Sequence, residues 1–228
     1  MKIAVFGTGM VGQTIAEKLV SLGHEVKMAT RDVVATLSRT NTDNMGRPGV
    51  GEWIKSNSAI KLEMYSEAAA WAEFIVNATN GSGTMPALEA AGEKNLSVKV
   101  MLDISNPLDF SKGMPPTLFV CNNDSLGEQI QRKYPDLKVV KSLNTTTANI
   151  MVNPNLLPEP TNIFMNGNDA DAKARVKELL KSFGWEEDRI VDLGDITTAR
   201  GTEQILPIWI RLYGALQTPM FNFKIVKA

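Results

Sequence analysis

Six residues near the amino terminus have the types and spacing to hold a pyrophosphate. They are Gly7-Thr8-Gly9-Met10-Val11-Gly12, a Gly-x-Gly-x-x-Gly turn. In such a turn the first glycine permits a tight reversal and the second lets a phosphate approach the backbone. The third lets a helix pack closely on the strands. A helix that starts inside the turn aims unpaired amide N–H groups and a partial positive charge at the anion. Thr30-Arg31 is the second chemical pair, with Arg31 nineteen residues after Gly12. Enzymes that use NAD place an Asp or Glu about 20 residues past the turn, for the ribose 2′-hydroxyl. An arginine there can make a charge-assisted pair with a 2′-phosphate, and a threonine hydroxyl can add a hydrogen bond. The pair predicts NADP rather than NAD. Asp32 reads as the N-cap of a short helix from Val33 to Arg39.

Three further sites are neutral and polar: Ala78-Thr79-Asn80, Asn106 and Asn144. Each follows an apolar run that reads as a strand. Ligands of doubly wound sheets lie beyond the carboxyl ends of the strands, so these residues are expected to line the cofactor toward its nicotinamide. No side chain is expected to act as a catalytic acid or base. Reduction of a ketone needs a positioned proton donor. The only histidine, His24, falls in the turn before the second strand, at the wrong end of the sheet. Tyr134 and Lys138 have the Tyr-x-x-x-Lys spacing, but Pro135 breaks the helix that would align them. Cys121 is alone, so neither an internal disulfide nor a cysteine metal site is expected. A flavin or deazaflavin asks less of the protein, because its ring system takes the hydride and delocalises the electrons. The protein then has to bind and orient two cofactors.

Positioning these residues requires alternating strands and helices. Lys2 to Phe6 is a short apolar run of buried-strand type, and Val11, Ile15, Leu19 and Leu22 give the next stretch a helical period. Gly23 suits a helix C-cap, and Glu25 to Ala29 is a second strand. Ile60–Tyr65, Phe74–Ala78, Lys99–Ile104 and Lys138–Ser142 read as strands three to six. The polar segment from Thr40 to Ser58 has room for a helical turn around Trp53. Pro86 is expected in the first turn of a helix, and Ser125 with Glu128 as a capping box. After Pro154, Pro158 and Pro160 come a strand, the helix Asp169–Phe183 and a strand Ile190–Leu193. A final helix, Thr198 to Gln217, is expected to kink at Pro207.

The fold expected is therefore α/β, a doubly wound, mostly parallel Rossmann sheet with a small C-terminal α/β extension. Residues 1–150 would form the NADP-binding domain. Residues 151–228 would pack on the same sheet and close the acceptor site. The last helix is apolar around most of its circumference, which predicts a buried or interface helix and a homodimer. A net charge of −1 over 228 residues gives no electrostatic case for nucleic acid or an anionic membrane. No apolar run is long enough to span a bilayer, and a strand beginning at Lys2 leaves no room for a signal peptide, so a cytoplasmic location is expected.

The chain resembles the NADP oxidoreductases that exchange hydride with coenzyme F-420, an 8-hydroxy-5-deazaflavin. The resembling residues run nearly end to end. They are the glycine turn, Thr30-Arg31, Lys141-Ser142-Leu143-Asn144-Thr145, Asp192-Leu193-Gly194, Ala199-Arg200, Glu203, Leu206-Pro207 and Trp209-Ile210. The resemblance implies NADP(H) as one hydride partner, and coenzyme F-420 or a flavin as the other. Two other readings stay open at this level: a reductase of a small carbonyl or imine, and a non-catalytic NADPH-binding module.

Overall fold

The computed structural model describes residues 1–42 and 48–228. Part of the polar 40–58 segment, residues 43–47, thus lies outside the described residues. The elements follow in chain order: β1 (Lys2–Phe6), α1 (Met10–Ser21), β2 (Glu25–Thr30), α2 (Val33–Leu37), α3 (Val50–Ser56), β3 (Lys61–Met64), α4 (Tyr65–Trp71), β4 (Phe74–Asn77), α5 (Gly81–Ala91), α6 (Glu93–Leu96) and β5 (Val100–Asp103). A two-residue hairpin, β6 (Leu108–Asp109) and β7 (Thr117–Leu118), precedes α7 (Leu126–Lys133) and β8 (Lys138–Ser142). The chain ends with α8 (Ala148–Val152), β9 (Ile163–Gly167), α9 (Ala170–Phe183), β10 (Ile190–Asp192), α10 (Ala199–Gln204) and α11 (Leu206–Leu216).

One sheet carries the fold, in the order β10-β9-β8-β5-β4-β1-β2-β3. Neighbours from β3 to β8 are parallel, while β9 runs antiparallel to β8 and parallel to β10. The architecture is the expected α/β Rossmann sheet. Strands β1, β4 and β5 lie under helices on both faces, so nearly every residue in them is buried. Successive βα units leave β1 in opposite directions, β2 on one side and β4 on the other. The crevice between their carboxyl ends is the topological switch point where such sheets bind ligands. Residues 163–167 and 190–192 add two strands to the same sheet next to β8.

Local signals explain several element ends. Asp32 caps α2 through the Ala35 N–H at 2.9 Å, and Asp169 caps α9 through Ala172 at 2.7 Å. Gly23 takes the left-handed conformation just past α1, with φ 80°.

Three local expectations are corrected. Helix α5 begins at Gly81, not at Pro86. Asn80 caps it by accepting the Gly83 N–H at 2.8 Å, and Pro86 sits within the helix. The last helix is interrupted at Ile205, two residues before Pro207, which leaves Pro207 in the first turn of α11, where a missing N–H costs little. The capping box at α7 is half made: Ser125 is the N-cap and its hydroxyl accepts the Glu128 N–H at 3.1 Å, but the Glu128 side chain does not return to the Ser125 N–H. The Glu128 carboxylate takes the Ser125 hydroxyl at 2.7 Å and the Arg200 guanidinium at 2.6 and 2.9 Å.

Candidate active site

The glycine turn joins β1 to α1 directly beneath the end of β4. Gly7 has φ 109°, and a Cβ there would stand 2.5 Å from the Ala78 carbonyl oxygen. A Cβ on Gly12 would meet the Gly7 carbonyl oxygen at 2.1 Å. Gly9 differs from both, because a Cβ on it would meet nothing within 4 Å. Its missing side chain therefore opens space on the outer side of the turn. Gly9 is also the N-cap of α1, whose first turn has no acidic residue. The amides there have no partner inside the helix. This cradle fits a pyrophosphate.

Beside it lies a cavity of about 440 Å³ lined by Gly7, Thr8, Gly9, Arg31, Tyr65, Ala78, Thr79 and Asn80, among others. Arg31 is exposed and stands just past the end of β2. Thr30 takes another place: it is buried, and its hydroxyl pairs with that of Thr36 at 2.7 Å. Sequence reasoning passed over Arg39. Helix α2 brings it back to the turn, where its Nη2 donates to the Thr8 hydroxyl at 2.8 Å. Tyr65 was also passed over. It begins α4, packs edge-on against Phe6 with ring centres 5.0 Å apart, and is held above the ordinary tyrosine pKa by burial, which outweighs Arg31 and Arg39.

A second cavity, about 370 Å³, continues past Ala78, Thr79 and Asn80 to the ends of β5 and β8. Met10 and Val11 form its near wall. Asn106 and Asn144 line it together and bind each other: Asn144 Nδ2 donates to Asn106 Oδ1, and Asn106 Nδ2 donates to the Asn144 carbonyl, both at 2.9 Å. Phe110, Met151, Leu206 and Trp209 supply an apolar rim. The two cavities thus bring together every residue expected at the site except Gly12, which packs under the turn, and Thr30.

Under these strand ends runs a buried polar network that the sequence did not announce. Lys141 Nζ lies 2.6 Å from Asp103, 2.9 Å from Glu203 and 2.7 Å from the Ser105 carbonyl, and all three charged side chains are almost completely inaccessible. Burial alone would lower the Lys141 pKa. Asp103 and Glu203 outweigh it and hold the ammonium above the usual lysine value. Asp103 also accepts from Asn77 at 2.8 Å and from the Ser105 hydroxyl at 2.7 Å. Glu203, from α10, accepts the Leu126 and Gly127 N–H groups at the start of α7. The network pins the C-terminal helices against the ends of β4, β5 and β8.

The side chains set aside as proton donors lie elsewhere. His24 stands before β2, within 3.3 Å of the terminal amine, and burial and that ammonium lower its pKa. Tyr134 ends α7, and Lys138 starts β8 and pairs with Asp169 at 2.9 Å. Among the described residues no group of His, Cys, Asp and Glu could hold a metal ion, and no helix is long and apolar enough to cross a membrane.

A Rossmann sheet, a phosphate cradle and a cavity beyond it large enough for ring systems define the class, an NADP-dependent oxidoreductase. Comparison with known proteins agrees. A family model described as NADP oxidoreductase, coenzyme F-420-dependent, matches residues 2–107. A solved structure from Arthrobacter sp. FB24, provisionally named an F-420-dependent NADP reductase, is 53% identical over the whole of both chains, with a TM-score of 0.93. The chain belongs to the coenzyme F-420-dependent NADP oxidoreductase family. A hypothetical protein from Sinorhizobium meliloti is 20% identical over 87% of each chain, with a TM-score of 0.65. A reductive aminase from Aspergillus terreus, solved with NADPH and ethyl levulinate, is 13% identical over 95% of this chain and 62% of its own, with a TM-score of 0.60. At those identities the last two show a shared fold only. No curated protein matches the chain.

Proposed function

We propose that the chain moves hydride between NADP(H) and a deazaflavin of the coenzyme F-420 type. The observation that carries this reading is the wall of the second cavity. It is built from Met, Val, Leu, Phe, Trp and Ile side chains together with neutral Ser, Thr and Asn, and among the described residues it holds no Asp, Glu, His, Lys, Arg, Cys or Tyr. Such a wall can orient flat rings and exclude water, but its amides and hydroxyls are poor acids and bases near neutral pH, and carbonyl or imine reduction requires a good one. When bound, a deazaflavin supplies the ring carbon that takes the hydride and the π-system that spreads the charge. The provisional name of the Arthrobacter relative supports the same reading.

Within this reading the first-turn amides of α1, from Met10 to Gly12, hold the pyrophosphate. Arg31 takes the 2′-phosphate, with Arg39 beside it. Ala78, Thr79 and Asn80 carry the chain of the cofactor across to Asn106 and Asn144. The hydroxyl of Thr30, paired with Thr36, steadies the end of β2 instead of meeting the phosphate. A steady-state screen of NADPH oxidation tests the acceptor: turnover is expected with coenzyme F-420, and turnover confined to FMN, FAD or small carbonyls would overturn the proposal. With the deazaflavin, kcat should stay nearly flat between pH 6 and 8, and His24→Ala should leave it unchanged. A bell-shaped profile abolished by one substitution would return the carbonyl reductase reading to first place.

Cofactor choice gives a sharper measurement. Loss of a charge-assisted contact costs about 1.5–3 kcal/mol, or roughly ten- to a hundredfold in affinity. Arg31→Ala should weaken NADPH by that factor and spare NADH. Equal loss for both would show that Arg31 does not discriminate.

We also propose that the chain works as a homodimer. Of α11 only Leu206 is buried, while Ile208 and Leu216 are 54% and 52% exposed and Val226 is 84% exposed. Covering such a surface is what a second copy would do. Sedimentation at micromolar concentration should give twice the chain mass, and a monomer would refute the assembly.

A further inference from the structure

We infer that the ring of Phe110 is the face against which the flat ring of the hydride acceptor stacks. The inference rests on the proposed deazaflavin chemistry. Phe110 stands on the rim of the second cavity, directly after β6. Asn106, Leu108 and Phe110 line that cavity, whereas Pro107 and Asp109 between them do not. This is the alternation of extended chain, and it sends the Phe110 side chain to the cavity side of the hairpin. The ring is also open, because Phe110 is 55% exposed. Among the described residues no aromatic ring packs against it. Trp209, on the same rim, is already stacked on Tyr213 and Phe221, with ring centres 5.9 and 5.2 Å away.

The hairpin sets this ring in place through its backbone. At its root a Cβ on Gly81 would stand 2.1 Å from the Asn106 carbonyl oxygen, so the start of α5 packs directly on the hairpin backbone. Leu108 and Asp109 pair with Leu118 and Thr117, and the Phe119 N–H donates to the Pro107 carbonyl at 2.9 Å. Beyond the strand, the Asp109 carboxylate accepts the Ser111 N–H at 2.8 Å, and the Phe110 carbonyl accepts the Gly113 N–H at 2.9 Å. A phenylalanine held there leaves apolar surface in water, and a stacked ring covers it. The course of the cavity says which ring. Ala78, Thr79 and Asn80 line both it and the cavity beside the phosphate cradle, and Met10 and Val11 form its near wall. A nicotinamide that arrives along this route takes the inner part, so the ring at the Phe110 rim belongs to the second hydride partner.

The test measures coenzyme F-420 reduction at saturating NADPH, together with NADPH affinity by calorimetric titration. Loss of one ring from a stack costs roughly five- to a hundredfold in binding. Phe110→Ala should raise the KM for F-420 by that factor and change kcat much less. NADPH affinity should stay within about twofold. Phe110→Tyr should restore the KM, and Phe110→Leu, which is apolar but not flat, should restore little of it. A KM within about twofold of the native value in Phe110→Ala overturns the inference. So does an equal loss of NADPH affinity, which would make Phe110 a support of the cofactor site. Full rescue by leucine overturns it too, because apolar cover alone would then suffice. If the native protein does not reduce F-420 at all, the proposed function has failed instead, and the inference falls with it.

Discussion

Lys141→Met should lower stability by about 3–5 kcal/mol, the usual result of removing one partner from a buried ion cluster. Methionine matches the length of the lysine stem, so packing changes little and the loss reports on charge. What remains is two buried carboxylates. Asp103 Oδ1 keeps Asn77 and Ser105, and Glu203 keeps the two amides of α7, but Asp103 Oδ2 loses the ammonium 2.6 Å away. In a domain of this size such a loss lowers Tm by roughly 6–20 °C. Its pH dependence is distinctive. Without the cation, burial favours the protonated form of a carboxylate. A carboxyl group that holds its proton more tightly when folded destabilises the fold at high pH and stops doing so as the solution is acidified. The deficit against the native protein should therefore shrink between pH 8 and pH 5. Asp103→Asn placed on top of Lys141→Met should recover part of it at pH 8. Thermal unfolding of the three proteins at both pH values checks this, and a deficit below about 1 kcal/mol that ignores pH would mean that the ion pairs of the cluster contribute little to stability.

That cluster shows where the sequence stops being readable. The glycine turn, the Asp32 cap and the end of α1 depend on residues within a few positions of one another, and local rules place them correctly. The buried residues of α9, Ala172, Val176, Leu179, Leu180 and Phe183, follow the helical period just as plainly. Lys141 does not yield to such rules. In the run Lys-Val-Val-Lys-Ser a lysine reads as a solvated interruption of a strand. Its carboxylate partners come from β5 and α10, and Glu203 meets Leu126 across 77 residues of chain. Only the assembled sheet brings them together. Helix α5 failed for a different reason: Asn80 and Pro86 are both good start signals, and the Asn80 side-chain cap fixed the actual start. Thr30 shows a third limit. Its hydroxyl was expected at the phosphate, but a second hydroxyl six residues away, Thr36, reaches it first.

Within the site the largest expected effect belongs to Gly9. Three glycines share one motif, yet the space around each separates their roles. A Cβ on Gly7 or Gly12 would stand 2.5 or 2.1 Å from a backbone carbonyl oxygen, so a methyl group on either would disturb the fold. Gly9→Ala should not. Nothing lies within 4 Å of the added methyl, and the backbone there, at φ −81° and ψ −175°, is ordinary extended geometry. Replacing glycine by alanine at such a position commonly adds about 0.4–1 kcal/mol by restricting the unfolded chain. Tm should therefore stay level or rise. Cofactor binding should collapse, because the methyl occupies the space through which a pyrophosphate reaches the first-turn amides of α1. Each charge-assisted hydrogen bond lost is worth about 1.5–3 kcal/mol. Losing two costs on the order of 3–6 kcal/mol, or about two to four powers of ten in NADPH affinity. Gly12→Ala should instead lower Tm and affinity together. If Gly9→Ala leaves NADPH affinity within about threefold of the native protein, the pyrophosphate does not sit on this turn, and the helix N-terminus there has another occupant.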